Sequence, residues 1–154
     1  MHVLGLSDSC WRGFQADKQI RLIICDTGIG IHSSLASTPD SKYKDISEQE
    51  ALEKCIWQNV TNGKGMGFGL FATSQFIKEN KGEMLIYSGS HFLTNSGKVF
   101  NVLSGEQWHG TIVFLKINTD IPVDYQVVLP INHSLPDDYQ NYIDSIFGFD
   151  NDLW

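Results

Sequence analysis

The stretch Ile20-Arg21-Leu22-Ile23-Ile24-Cys25-Asp26-Thr27-Gly28-Ile29-Gly30 sets the frame for the whole chain. Ile20, Leu22, Ile23 and Ile24 form a nearly continuous apolar run that stops at Asp26 and two glycines. That pattern predicts a buried strand with a carboxylate delivered to its C-terminal end. The glycines after it can take positive φ or let a ligand approach the backbone closely. Alone, these residues equally describe a tight turn after a strand, with Asp as its first residue. The functional alternative is a carboxylate that accepts a hydrogen bond from an exocyclic amine beside glycines that make room for a planar base. Such a site rejects a base lacking the donor, because a buried partner is left unpaired.

Downstream, a polar stretch with Pro39 and Asp40 leads to Ser47-x-x-Glu50, a capping-box pattern that opens a run with Leu52, Cys55 and Ile56 on one face. A helix from 48 to about 59 is expected. Then comes Asn62-Gly63-Lys64-Gly65-Met66-Gly67-Phe68-Gly69-Leu70, with glycines at every second position. Four glycines so close together cost backbone entropy that a mere linker does not require. What they offer is backbone N–H groups free to wrap phosphates, backed by the positive end of the helix that follows. Lys64 can add a charge to the same anion, and the competing reading is a flexible surface loop. The run is not a P-loop, since no Gly-Lys-Ser or Gly-Lys-Thr is present, and its G-x-G-x-G-x-G spacing outside a βαβ unit is not a dinucleotide fingerprint.

The helix after the glycines should run to about Asn80 with Gly82 as its stop. Strand candidates follow at Glu83 to Ser88, His91 to Thr94, Lys98 to Leu103 and Thr111 to Ile117, with a turn from Gly105 to Gly110. This order predicts an α/β sandwich with a mixed, largely antiparallel sheet. Residues 1–19 read as irregular or as one weak strand, and 20–117 as the core domain. Residues 118–154 read as an acidic extension in which Ser134-x-x-Asp137 opens a short helix with Tyr139, Tyr142, Ile143, Ile146 and Phe147 in one stripe.

Composition narrows the function classes. The 154 residues suit one domain. A formal charge of -7, from 18 acidic against 11 basic residues, argues against coating nucleic acid. Cys10, Cys25 and Cys55 lack disulfide or zinc spacing and no secretory leader is read, so reduced thiols in a cytoplasmic protein are expected. No apolar run nears the roughly 20 residues of a membrane span. The five histidines are scattered without ligand spacing, which favours surface or turn roles over a metal site or phospho-acceptor. Trp57 and Trp108 are expected to pack in core or loops, and Cys25 to be a small core residue.

Taken together, Ile24-Cys25-Asp26-Thr27-Gly28-Ile29-Gly30-Ile31 and Gly65-Met66-Gly67-Phe68-Gly69-Leu70 resemble the two glycine boxes of the GHKL (Bergerat-fold) ATPases, in family order and followed by Gly110-Thr111. Lys81-Gly82-Glu83-Met84-Leu85-Ile86-Tyr87-Ser88 is similar to the segment after the lid helix in the histidine-kinase-like branch. The resemblance covers roughly 20–117. It implies a two-layer Bergerat sandwich holding ATP or ADP, with Asp26 on the adenine amine, Gly28 and Gly30 against the base and Ile31 among the nucleotide-binding residues. It also implies Gly65, Gly67 and Gly69 at the phosphates, with Lys64, Met66, Phe68 and Leu70 among the nucleotide-binding residues, and Thr111 near adenine through water. Family members use Mg²⁺ held by an Asn, and a Glu to activate water or a hydroxyl, on a helix upstream of the first box. Residues 1–25 contain neither Asn nor Glu. The chain is therefore expected to be an N-terminally incomplete or degenerate nucleotide binder, without an assignable catalytic residue or metal ligand and inactive alone. A protein partner or an upstream domain is expected; nucleic acid and membrane are not. The alternatives are a non-enzymatic nucleotide-sensing or interaction module and an anti-sigma-type serine kinase domain.

Overall fold

The computed structural model describes residues 9–16, 18–37, 41–97 and 99–128. Within them, β1 (Ser9–Ala16), β2 (Gln19–Asp26), β3 (Glu83–Asn95) and β4 (Phe100–Asn118) form one sheet in the order β1-β2-β4-β3. All three pairings are antiparallel, so among the described residues the expected mixed character gives way to a wholly antiparallel sheet. The expected N-terminal segment, irregular or one strand, is a strand over Ser9–Ala16, paired along its length with β2.

Helices α1 (Gly30–Ala36), α2 (Glu48–Lys54) and α3 (Gly69–Glu79) cover one face of the sheet. The core forms there: Leu52, Cys55 and Ile77 pack on Met84, Ile86, Leu93 and Leu115. Burial of each large side chain in this set contributes about 1.5–3 kcal/mol. The sheet alternates accordingly, with Met84, Ile86 and Ser88 buried and Leu85 and Tyr87 half-buried on the opposite face. A four-residue helix, α4 (Tyr125–Val128), rests against α3.

Local chemistry explains most boundaries. Ser47 caps α2 by accepting from the Glu50 N–H (3.2 Å) while the Glu50 carboxylate accepts from the Ser47 N–H (3.1 Å), the capping box the sequence predicts. The helix stops at Lys54, short of the expected end near 59, because i→i+3 turns take over and Asn59 adopts a left-handed conformation (φ 64°). At the end of α3, Lys81 takes the left-handed position (φ 53°) that the sequence assigns to Gly82. Gly82 serves the close approach to β4 instead, since a Cβ there would lie 2.2 Å from the Lys116 carbonyl oxygen. The buried Asn80 locks this corner, donating to the carbonyls of Asn118 (2.8 Å) and Ile121 (3.1 Å) and accepting from the Asn118 N–H (2.7 Å).

The four strand candidates after α3 merge into one long hairpin. Between the pairs Gly89–Trp108 and His91–Ser104, β4 advances four positions while β3 advances two, so the expected Gly105 to Gly110 turn is an irregularity inside β4. Gly89 takes positive φ (64°) at this bulge. The expected C-terminal helix near 137–147 lies outside the described residues.

Candidate functional site

Asp26 ends β2 directly opposite Thr111 of β4. Its Oδ1 accepts two backbone hydrogen bonds, from the Gly28 N–H (2.8 Å) and the Thr111 N–H (3.2 Å). The carboxylate is thereby fixed in orientation, and no described group bonds its Oδ2. A cavity of about 390 Å³ opens at this point. Its polar contributors are Asp26, Ser34, Thr61, Asn62 and Thr111, and its apolar wall includes Ile31, Leu35, Val60 and Leu70. A few convergent polar groups on a largely apolar lining are the usual composition of a small-molecule site.

The first glycine segment shapes this wall through its backbone. Gly30 has φ +77°, and a Cβ on it would sit 2.9 Å from Ser88 Oγ. Ser88 is the residue that sequence reasoning missed. Its hydroxyl accepts from the Ile31 N–H (2.9 Å) and donates to the Gly110 carbonyl (3.1 Å), tying the start of α1 to β3 and β4. This also explains α1, which the sequence does not announce: Ile29 provides no side-chain cap, and the orphan Ile31 N–H is satisfied from 57 positions away. Gly110 (φ +103°) passes so close to Asp26 that a Cβ would lie 2.1 Å from its carbonyl oxygen. Gly28 is not among the cavity-lining residues, and its N–H instead holds the Asp26 carboxylate.

The second glycine segment forms the facing wall and divides into two kinds of position. Gly67 is in the left-handed region (φ +65°), and a Cβ on it would lie 2.4 Å from the Val60 carbonyl oxygen, so it serves backbone packing. Gly65 and Gly69 face open space, with nothing within 4 Å of a built Cβ. Gly65 lines the Asp26 cavity, and an adjoining cavity of about 480 Å³ is lined by the whole run from Gly65 to Leu70 together with Cys55 and Val60. Lys64 is exposed and lines neither cavity. The loop is organised by side chains on its N-terminal side. Thr61 Oγ1 donates to the Gly65 carbonyl and accepts from the Gly63 N–H, Asn62 Oδ1 accepts from the Lys64 N–H, and Asn62 Nδ2 donates to Ser34 Oγ of α1 at 2.9 Å. Phe68, buried against Phe71, is the N-terminal flank of α3 and offers that helix no side-chain cap. The first N–H groups of α3 lack intrahelical partners, as at any helix start, and sit beside the open Gly69.

The structure thus brings Asp26, Gly30, Ile31, Gly65, Leu70 and Thr111 around one cavity, with Met66, Gly67, Phe68 and Gly69 on its continuation. Ser34, Cys55, Val60, Thr61 and Asn62 join them without a sequence signal beyond their closeness to the glycine run. Burial pushes the Cys55 thiol up to about 12, and its Sγ lies 3.1 Å from the Leu52 carbonyl, which makes it an inert small wall residue. Of the expected core or loop positions, Trp57 takes an exposed turn after α2, whereas Trp108 is exposed on β4, and neither lines the Asp26 cavity. His32 bonds the Ile46 carbonyl (2.8 Å) and His91 lies beside Glu48 and Ser90, while among the described residues no three His, Cys, Asp or Glu side chains converge as a metal site. No described helix is long and apolar enough to cross a membrane. No protein-family model matches the chain, and no curated protein matches it at a significant level.

Proposed function

We propose that this chain is an adenine-nucleotide-binding domain of the histidine-kinase-like ATPase type, with a signalling role. The observation that carries the reading is the fixed Asp26 carboxylate at the mouth of a half-apolar cavity, with Oδ1 committed to two backbone N–H groups and Oδ2 left to a ligand. A carboxylate oxygen accepts from an exocyclic amine such as that of adenine. Guanine carries a carbonyl oxygen at the equivalent ring position, and two acceptors facing each other repel. Ile31, Leu35, Val60 and Leu70 supply apolar surface for a planar ring, in a cavity whose volume lies in the usual range for small ligands.

The phosphates are assigned to the continuation of the cavity along Gly65 to Gly69. There the open Gly65 and Gly69 and the start of α3 present backbone N–H groups to an anion without a side chain in the way. The residues present therefore fit ATP or ADP. Mg²⁺, which the resemblance implies on an Asn upstream of the first glycine box, is given no ligand in this proposal, and the proposed role stops at binding. Phosphoryl transfer depends on positioning and on charge neutralisation as it develops, so any turnover requires groups from a partner or a further segment.

Isothermal titration of the chain with ATP, ADP and GTP tests the proposal. ATP and ADP should bind with similar affinity and GTP should not; equal binding of GTP would remove the adenine assignment.

A further inference from the structure

A second cavity, of about 440 Å³, meets the Asp26 cavity at Ile29 and Gly30 and runs from there to Glu48 of α2 and the bulge of the β3–β4 hairpin. Its volume is in the usual range for small ligands. Glu48 supplies its charge. The carboxylate lies over Gly89, where a Cβ would come 2.9 Å from its carbon and from both oxygens, so this contact requires glycine at 89 as much as the positive φ does. Oε2 accepts from the Ser90 N–H (3.0 Å) and hydroxyl (2.5 Å), and His91 Nδ1 lies 3.4 Å away. Oε1 accepts no hydrogen bond from a described residue. Among the described residues, no lysine, arginine or second carboxylate lines the cavity. Trp108 stands next to this carboxylate. It is the cross-strand partner of Gly89, and such partners project from one face with Cβ atoms about 4.5–5.5 Å apart. The carboxylate covers the place of the missing Gly89 Cβ, so indole and carboxylate share one face of the hairpin. Trp108 (41% exposed) and Ile29 (65%) both line the cavity as large apolar side chains open to solvent. His32, also in the lining, donates from Nε2 to the Ile46 carbonyl (2.8 Å), which leaves Nδ1 as the acceptor of the neutral ring.

We infer that this cavity receives a primary ammonium group carried on an apolar stem, with Glu48 Oε1 as its counter-charge and Trp108 as its aromatic wall. An ammonium beside the carboxylate gains a charge-assisted hydrogen bond, and over the indole face it gains the attraction of the ring quadrupole. Its remaining donors have the neutral His32 ring and the Ser33 hydroxyl in the same lining as acceptors. The stem rests on Ile29 and Trp108. An ammonium suits the site better than a guanidinium does. The guanidinium fork engages a carboxylate through two parallel bonds, and here one of the two oxygens is already taken by Ser90. An anion is repelled by Glu48, and a neutral apolar ligand would strip water from Oε1 without replacing its donor. A free alkylamine and the lysine side chain of a polypeptide offer the same chemistry, and the two are separated by the probes below.

The test is an NMR titration of the isotope-labelled full chain with n-butylammonium, Nα-acetyl-lysine methylamide and the uncharged N-butylacetamide, read at the Gly89 and Ser90 amides and the Trp108 indole N–H. The two amines should shift these signals saturably with Kd on the order of millimolar, as suits ligands of so few atoms, and N-butylacetamide should not. Glu48→Gln should weaken amine binding at least about tenfold, and Trp108→Leu, read at the amides, about two- to fivefold. Tighter binding of the lysine derivative assigns the site to a polypeptide's lysine, and tighter or equal binding of n-butylammonium assigns it to a free amine. Several results overturn the inference: no saturable shift with either amine, equal shifts with N-butylacetamide, or wild-type affinity in Glu48→Gln or Trp108→Leu. Shifts confined to the Gly28 and Thr111 amides do so too, because they place the amine at Asp26 instead. The comparison of amine with N-butylacetamide uses the wild-type chain alone, so it remains decisive if Glu48→Gln loosens α2 from β3.

Discussion

Asp26→Asn separates the carboxylate's two jobs. In the native chain Oδ1 holds the Gly28 and Thr111 N–H groups, at 2.8 and 3.2 Å, and the proposed ligand amine meets Oδ2. Asparagine keeps an oxygen for the two backbone donors, because turning its NH₂ toward them would set donor against donor, so its NH₂ must face the cavity. The fold should lose only the charge-assisted share of two hydrogen bonds, about 1 kcal/mol or less. The ligand amine should lose its acceptor and meet a donor, which costs about 1–3 kcal/mol, or about 5- to 150-fold in Kd. Asp26→Ala inverts the stability result. The Thr111 N–H is half-buried and loses its acceptor, while the exposed Gly28 N–H can turn to water, so the cost of about 1–3 kcal/mol falls mainly at Thr111. Paired thermal melts and ATP titrations of both variants read the two quantities separately. Wild-type ATP affinity in Asp26→Asn would refute the acceptor role, and an Asn variant as unstable as the Ala variant would refute the Oδ1 geometry.

Three further perturbations probe the same framework. Ser88→Ala leaves the Ile31 N–H and Gly110 carbonyl without their partner in a site that is 4% exposed, and should cost about 1–3 kcal/mol in a denaturant titration; an unchanged midpoint would deny Ser88 its organising role. Gly67→Ala should destabilise the chain by at least about 1–2 kcal/mol, from its left-handed φ and the clash with Val60, whereas Gly65→Ala should leave melting unchanged and weaken ATP binding; the reverse ranking would contradict the division of the loop. Hydrogen bonds from the Ser90 hydroxyl and N–H, aided by His91, hold the Glu48 carboxyl below its ordinary 4.5. Because the folded-state value is the depressed one, Glu48 stabilises the fold fully above 4.5 and loses that contribution as pH falls through its lowered value, so the stability gap between wild type and Glu48→Gln should close on acidification below 4.5, and a gap that widens there would have the sign wrong. Glu48 keeps about a third of its side-chain surface in water, and solvent screening there keeps the gap small.

What the sequence made legible was local. The run from Ile20 to Cys25 and its break at Asp26 specify a strand and the position of its terminal carboxylate within a few residues. Ser47 and Glu50 specify a helix start because both halves of the capping box lie within one turn. What stayed hidden depends on contacts distant in sequence or on glycine's ambiguity. Ser88 acts through partners on α1 and β4, and nothing beside it in the chain hints at either. The stretch from Gly105 to Gly110 reads as a turn because a bulge and a turn require the same glycine freedom, and only the partner strand distinguishes them. The alternate spacing of Gly63, Gly65, Gly67 and Gly69 suggests one shared purpose, yet Gly67 is fixed by Val60 while Gly65 and Gly69 are not fixed by anything within reach of a Cβ.

That contrast bears on how the proposed site discriminates. The wall at Asp26 is over-determined: the Asp26 side chain is held from two backbone groups, Ser88 ties α1 to Gly110, and Gly30 and Gly110 each leave no space for a Cβ. A group held this way cannot shift to accommodate a wrong base, so an acceptor facing an acceptor keeps its full penalty. The wall from Gly65 to Gly69 is pinned at its middle, where the Gly67 carbonyl accepts from the Asn59 N–H (3.1 Å) and Gly67 abuts Val60, and on its N-terminal side by Thr61 and Asn62, while Gly65 and Gly69 on either side of that point are open and can approach an anion at more than one distance. Base identity would then be read by the rigid wall and phosphate number tolerated by the adjustable one, which is the physical reason to expect strong preference between ATP and GTP alongside weak preference between ATP and ADP.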